Sequence, residues 1–146
     1  MGKLIWGMSS RNRFIWPVRV YYEDTDSGGV VYYANYLKFM ERARTEWLRS
    51  IGFEQDQLLT QEGIIFAVRS VDVGYHQPAR FNDALEVTAS LAAKGHASLT
   101  FHQEVFRVDD SRVLCSGRIK IACVEMKSMR PTPIPKSLLL EFPDVD

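Results

Sequence analysis

Arg19-Val20-Tyr21-Tyr22-Glu23-Asp24-Thr25-Asp26-Ser27-Gly28-Gly29-Val30-Val31-Tyr32-Tyr33-Ala34-Asn35-Tyr36 decides how this chain is read. Two carboxylates and a Gly pair form a turn between an alternating β-branched and aromatic run and the start of a helix. Over Pro17–Glu23, Val18, Val20 and Tyr22 alternate with Arg19, Tyr21 and Glu23, the period of a strand. From Asn35 to Ser50 the period becomes helical. Tyr36, Met40, Ala43, Trp47 and Ile51 form one stripe flanked by Leu37, Phe39 and Leu48, opposite Lys38, Glu41, Arg42, Thr45 and Arg49. Such a helix is about 24 Å long and needs a sheet to cover its apolar side. A helix N-terminus offers unpaired N–H groups and partial positive charge, so an acid beside it makes a setting for acyl chemistry.

Working outward, Gly52 fits the end of this helix, and a less regular stretch runs to Gly63. Val71, Val73 and Tyr75 then alternate before a turn at 78–83. Leu85, Val87, Ala89 and Leu91 alternate with Glu86, Thr88 and Ser90, the pattern of a half-buried strand. Gly95 marks a hairpin into Ala97–Val108, and Asp109-Asp110-Ser111 marks another into Val113–Val124. Pro131, Pro133 and Pro135 make an extended tail that closes the domain or packs at an edge. One strand, a long helix and four antiparallel strands give an α+β fold in which a curved sheet of about five strands wraps the helix. Its open edges point to pairing between copies, hence a homodimer or homotetramer.

The 146 residues suit a single domain over 1–146, with 1–13 expected to be a flexible N-terminal segment. Eighteen Lys plus Arg balance eighteen Asp plus Glu, which argues against bulk attraction to nucleic acid or an anionic membrane. No stretch is long and apolar enough for a transmembrane segment. Cys115 and Cys123, eight apart in one strand, lie roughly 26 Å from each other, which forbids a disulfide between them and suits a reducing, cytoplasmic setting.

Two ligand chemistries can be tested on the acidic turn, and metal binding on the histidines. Asp24, Asp26 and Gly29 match calcium-loop positions one, three and six, but Asn35 stands where a bidentate Glu belongs. A phosphate loop needs Lys and Ser or Thr where Val30-Val31-Tyr32 follows. His76, His96 and His102 have no metal-ligand spacing. What remains is a structural turn, or an acid beside an apolar, aromatic wall fit for an acyl group.

The run from Arg19 to Tyr32, with Glu41-Arg42-Ala43-Arg44-Thr45-Glu46, Pro78-Ala79-Arg80 and Pro135-Lys136-Ser137, closely resembles the Tol-Pal-associated acyl-CoA thioesterases. These are members of the hotdog superfamily related to 4-hydroxybenzoyl-CoA thioesterase. The resemblance implies a hotdog fold and hydrolysis of acyl-CoA without metal or redox cofactor. It also implies Asp26 as the catalytic acid and a role for Tyr33, at which many relatives have His. Our reading makes the Tyr33 backbone N–H the oxyanion donor. Asp26 is then a nucleophile or a general base. Gly29, Val30, Tyr32 and Asn35 are expected to line the acyl site, Asn35 also serving as a helix cap. Lys94, His96 and Ser98 fall in the hairpin where the resemblance places CoA contacts.

Asp24 is expected to hold the turn, Arg44 to sit in a buried ion pair, and Arg42 with Glu46 to form a solvated pair. The rival function is a non-catalytic acyl-binding or scaffolding module that recruits acyl carrier protein or cell-envelope components.

Overall fold

The computed structural model describes residues 7–8 and 13–145. Most of the expected flexible segment therefore lies outside the described residues, but Gly7–Met8 within it form a strand, β1. The other strands are β2 (Phe14–Arg19), β3 (Ile64–Tyr75), β4 (Ala84–Lys94), β5 (Ser98–Arg107), β6 (Val113–Glu125) and β7 (Arg130–Pro131). The helices are α1 (Asn35–Ser50), α2 (Gln55–Glu62) and a short α3 (Lys136–Leu139). One antiparallel sheet runs β1-β2-β4-β5-β6-β3, with β7 also beside β6. It curls around α1, which packs over β2, β4 and β5. Tyr36, Phe39, Met40, Ala43, Trp47 and Leu48 are the buried side of that helix, as its period requires.

The strand expected over Pro17–Glu23 is β2, and it sits earlier than its alternation suggests. Phe14 and Ile15 begin it, and after Val20 the chain curls into a 3-10 turn at Tyr22–Asp24, because the Asp24 carboxylate accepts the Tyr21 N–H at 2.8 Å. Tyr22 is thereby left 75% exposed, its ring stacked on Phe81. The stretch before Gly63 is also more regular than expected. Its helix α2 buries only Leu58, so it shows no apolar stripe, and Gly63 at φ +70° closes it.

β3 is longer than Val71–Tyr75 because a bulge hides its period. Val68 pairs with Ile121 but Ser70 with Lys120, so Arg69 is the extra residue. Phe66 and Val68 before it, and Val71, Val73 and Tyr75 after it, all oppose the inward positions Cys123, Ile121, Ile119, Gly117 and Cys115 of β6. Gly117 is required there: a Cβ would lie 2.8 Å from Asp72 O and press on the Val73 side chain.

Arg44 has no carboxylate partner among the described residues. Its Nη1 donates to the buried Gln103 Oε1 at 2.9 Å, while burial lowers the guanidinium pKa. The Gln103 amide donates to Met40 O and Thr88 O, each at 3.0 Å, and Glu104 N–H donates to Thr88 Oγ1 at 2.9 Å. Between Val87–Val105 and Ser90–His102 the β4–β5 ladder opens, and these side chains occupy the gap. Thr88 and Ser90, read as outward residues of a half-buried strand, are buried. The Arg42–Glu46 pair does not form: Glu46 pairs with Arg49, and Arg42 lies 5.9 Å from the Phe39 ring centre.

The tail takes both expected roles. Pro131 pairs at the edge in β7, while Leu138 and Phe142 are buried, Phe142 against Trp47. No helix among the described residues is long and apolar enough to cross a membrane.

Gln103→Leu should lower unfolding free energy by about 2–4 kcal/mol, read by urea denaturation, because Thr88 O and the half-buried Arg44 lose their partner together. Both cysteines are free and buried, and burial pushes the Cys115 thiol up to about 12 and that of Cys123 up to about 11. Iodoacetamide at pH 8 should therefore leave the native protein unlabelled by mass spectrometry and label both thiols in denaturant.

Candidate active site

The acidic turn is built by local hydrogen bonds. Asp26 N–H donates to Val30 O at 2.9 Å and Gly29 N–H to Asp26 O at 3.0 Å, closing a tight turn with Gly29 at φ +80°. Asp26 Oδ1 accepts the Gly28 N–H at 2.8 Å, the side-chain turn for which Asp is suited. Its Oδ2 makes no hydrogen bond among the described residues, and the side chain is exposed. One oxygen thus fixes the carboxylate while the other is open to a reactant.

Asp24 joins this turn to the helix. Its carbonyl accepts Tyr32 N–H and Asn35 Nδ2, both at 2.9 Å. Asn35 is the first helical residue and donates backward to the turn, so it is not a cap; Ala34 holds the cap position, with no side-chain hydrogen bond. Asn35 N–H donates to Tyr32 O and Tyr36 N–H to Tyr33 O. Among the described residues the N–H groups of Tyr33 and Ala34 have no acceptor. A sixteen-residue helix therefore begins with free donors at the end carrying positive partial charge.

The loop after β3 supplies the facing wall. Val31 N–H donates to Ala79 O at 2.8 Å, Val30 bridges Arg80, and the buried Tyr36 hydroxyl accepts the Ala79 N–H at 2.9 Å. Burial is the main cause raising the Tyr36 and Tyr75 phenol pKa values. Beside the helix start, Val31, Tyr33, Tyr36, Tyr75 and Pro78 enclose a cleft of about 220 Å³. The Tyr75 ring meets Tyr33 edge-on at 6.0 Å and Tyr36 at 5.6 Å. Val31 and Tyr33 belong to the aromatic run read after the acidic turn, and Tyr75 ends the period of β3, but only the fold brings the two together.

Of the residues expected to act together, Asp26, Gly29, Val30, Tyr32, Tyr33 and Asn35 are assembled around the turn and helix start. Tyr32 and Tyr33 are exposed and adjoin, their rings 4.9 Å apart. Lys94, His96 and Ser98 are not with them in one chain. They occupy the β4–β5 hairpin, separated from the turn by the roughly 33 Å length of β4. There Lys94 Nζ reaches Pro143 O at 3.4 Å, and His96 O accepts Ile134 N–H at 3.1 Å.

The fold also joins His76 Nε2 to Ser116 Oγ at 2.9 Å, a pair forty positions apart that spacing could not reveal. No acidic side chain is hydrogen-bonded to His76 among the described residues, so the pair lacks the orienting acid of a triad. No group of three His, Cys, Asp or Glu side chains among those residues is arranged to hold a metal ion.

Comparison with known proteins shows the family. The thioesterase-like superfamily model matches residues 20–142. The acyl-CoA thioester hydrolase YbgC of Escherichia coli is 45% identical over 129 residues, covering 88% of this chain and 95% of that protein. The acyl-CoA thioesterase YbgC of Haemophilus influenzae is 41% identical over 131 residues, covering 90% and 95%. A solved 4-hydroxybenzoyl CoA thioesterase in complex with 4-hydroxybenzoyl CoA superposes with a TM-score of 0.82, covering 88% of this chain and 97% of that one; at 15% identity it shows the shared fold alone. With its helix held in a curled antiparallel sheet of the hotdog type and a match across most of its length, the chain belongs to the thioesterase-like superfamily.

Proposed function

We propose that this protein hydrolyses the thioester of an acyl-CoA to the free acid and CoA, with Asp26 and the start of α1 as its machinery. The observation that carries this reading is the uncapped helix start, whose Tyr33 and Ala34 N–H groups lie free beside a turn that leaves Asp26 Oδ2 open. The Tyr33 N–H donates to the thioester oxygen and gains strength as negative charge develops there, worth about 3 kcal/mol for one such donor. Asp26 completes the reaction by one of two routes. As a base it takes a proton from water while the water oxygen adds to the carbonyl, and collapse of the adduct expels the CoA thiolate. As a nucleophile it displaces the thiolate to form an anhydride that water then opens. The Gly28 N–H on Oδ1 orients the carboxylate in either route.

The separation of the hairpin from the turn supports a homodimer as the working unit. β3 ends the sheet, and its outer side has no neighbouring strand among the described residues. Two copies pairing antiparallel through β3 bring the Ile64 end of one strand beside the Tyr75 end of the other. The hairpin lies at the first of these ends and the acidic turn at the second. Lys94, His96 and Ser98 of a second copy are then available to the CoA phosphates. The buried free thiols suit a reducing compartment.

Asp26→Asn keeps an oxygen for the Gly28 N–H but removes the base. Thiol release from acyl-CoAs should fall at least about a hundredfold, with circular dichroism and oligomeric state unchanged. Full activity in the folded variant would refute the assignment.

A further inference from the structure

Residues 76–83, between β3 and β4, form one wall of the cleft at the helix start and hold the acidic turn. Ala79 O accepts the Val31 N–H, the Ala79 N–H reaches the Tyr36 hydroxyl, and Arg80 bridges Val30. Apolar packing does little to fix this segment. Ala79 is its one buried residue, and Phe81 is 43% exposed. Its position therefore depends on polar contacts made from outside it.

Arg107, the last residue of β5, reaches both limbs of the segment, because its guanidinium uses its edges differently. Nε and Nη2 grip the Asp110 carboxylate in the β5–β6 turn, with contacts of 3.0 and 3.2 Å. That grip leaves Nη1 to donate to Pro78 O at 3.3 Å and to stand 3.5 Å from Asp83 Oδ2. The Arg107 and Asp83 side chains are only 19% and 21% exposed, so water competes weakly for these contacts. From the two points the contacts run on to the turn by separate routes. Pro78 directly precedes Ala79, which holds Val31 and Tyr36. Asp83 Oδ2 also accepts the Arg80 N–H at 2.9 Å, and Arg80 bridges Val30. Arg112 adds a contact to Gln77 Oε1 at 3.1 Å, but its side chain is exposed and the contact is weak.

We propose that Arg107 is a positioning residue for the hydrolysis: through Pro78 O and Asp83 it fixes the 76–83 segment, and with it Val30, Val31 and the start of α1. This rests on the reading of Asp26 and the Tyr33 N–H as the reacting groups, and Arg107 acts on them through the backbone of the segment. A shift of about 1 Å in a reacting group, caused from a distance, can cost about a hundredfold in rate. Lysine is no substitute. An ammonium is a single point of charge without a second edge, so it cannot hold Asp110 and reach Pro78 O and Asp83 together.

Wild type, Arg107→Ala and Arg107→Lys are compared by hydrolysis of hexanoyl-CoA and by amide hydrogen exchange read by mass spectrometry. In both variants kcat should fall at least about tenfold while KM changes less than about threefold, because the reacting groups are displaced and the binding surface is kept. Exchange should quicken at least about fivefold over 28–36 and 76–83 and stay within about twofold over the C-terminal half of α1 and over β6. Millimolar guanidinium, which fits the space vacated in Arg107→Ala, should restore part of that variant's kcat, whereas ethylammonium should not. If Arg107→Ala does not fold, Arg107→Lys keeps a cation beside Asp83 and Asp110 and decides the question by the same split.

Wild-type kcat in the folded lysine variant, quickened exchange spread over β6 as well, or restoration by both cations or by neither would overturn the role of Arg107. Local quickening in the variants of a protein that hydrolyses nothing would uphold the hold of Arg107 on the turn and reject the hydrolase reading. Equal hydrolysis by all three proteins would do the reverse.

Discussion

The side-chain amide of Gln103 sits where helix and sheet meet, and the positions of both depend on it. Its nitrogen binds a carbonyl of α1 and a carbonyl of β4, and its oxygen holds Arg44. Apolar packing alone would let a helix slide along a curled sheet, because dispersion and the hydrophobic effect have little direction. Three hydrogen bonds from one buried amide set the height of Met40 over Thr88, and so the height of everything else on the helix. The start of α1 is one such thing. Its free N–H groups are useful only if they arrive beside the acidic turn, and the Asp24 carbonyl fastens that end just as Gln103 fastens the middle.

Much of this was legible in the sequence where a physical signal is local. The 3.6-residue stripe of α1 reproduces its bounds, and the Gly95 and Asp109–Ser111 turns mark the hairpins of β4, β5 and β6. Legibility failed where long-range partners decide. α2 is held by one buried leucine, and the first half of β3 shifts phase at Arg69. Arg44 reads as half of an ion pair until the fold supplies an amide from β5 fifty-nine positions away.

The site divides in the same way. Asp26, the Gly pair and the helix start are contiguous, so their arrangement could be read in order. Two features change how they work: the cap position holds Ala34, and Asn35 donates to the turn instead of accepting from the helix. The tyrosine wall is spelled in two separate runs that the sheet brings together, and the His76–Ser116 contact has no local spelling. The separation of Lys94, His96 and Ser98 from the turn follows from strand length, which a hairpin motif does not disclose.

The extra residue in β3 has a consequence for how this chain can change over generations. Arg69 is the residue left over when β3 is paired with β6, so without it Val68, Ser70 and Val71 would alternate as in a regular strand, and Val71, Val73 and Tyr75 would still stand opposite Ile119, Gly117 and Cys115. The strand can therefore lose one residue at this point and keep its inner side, although side chains alternate along it. An alignment that places a single-residue gap at the bulge leaves the lining of the molecule in place, whereas the same gap elsewhere in the strand turns part of that lining outward.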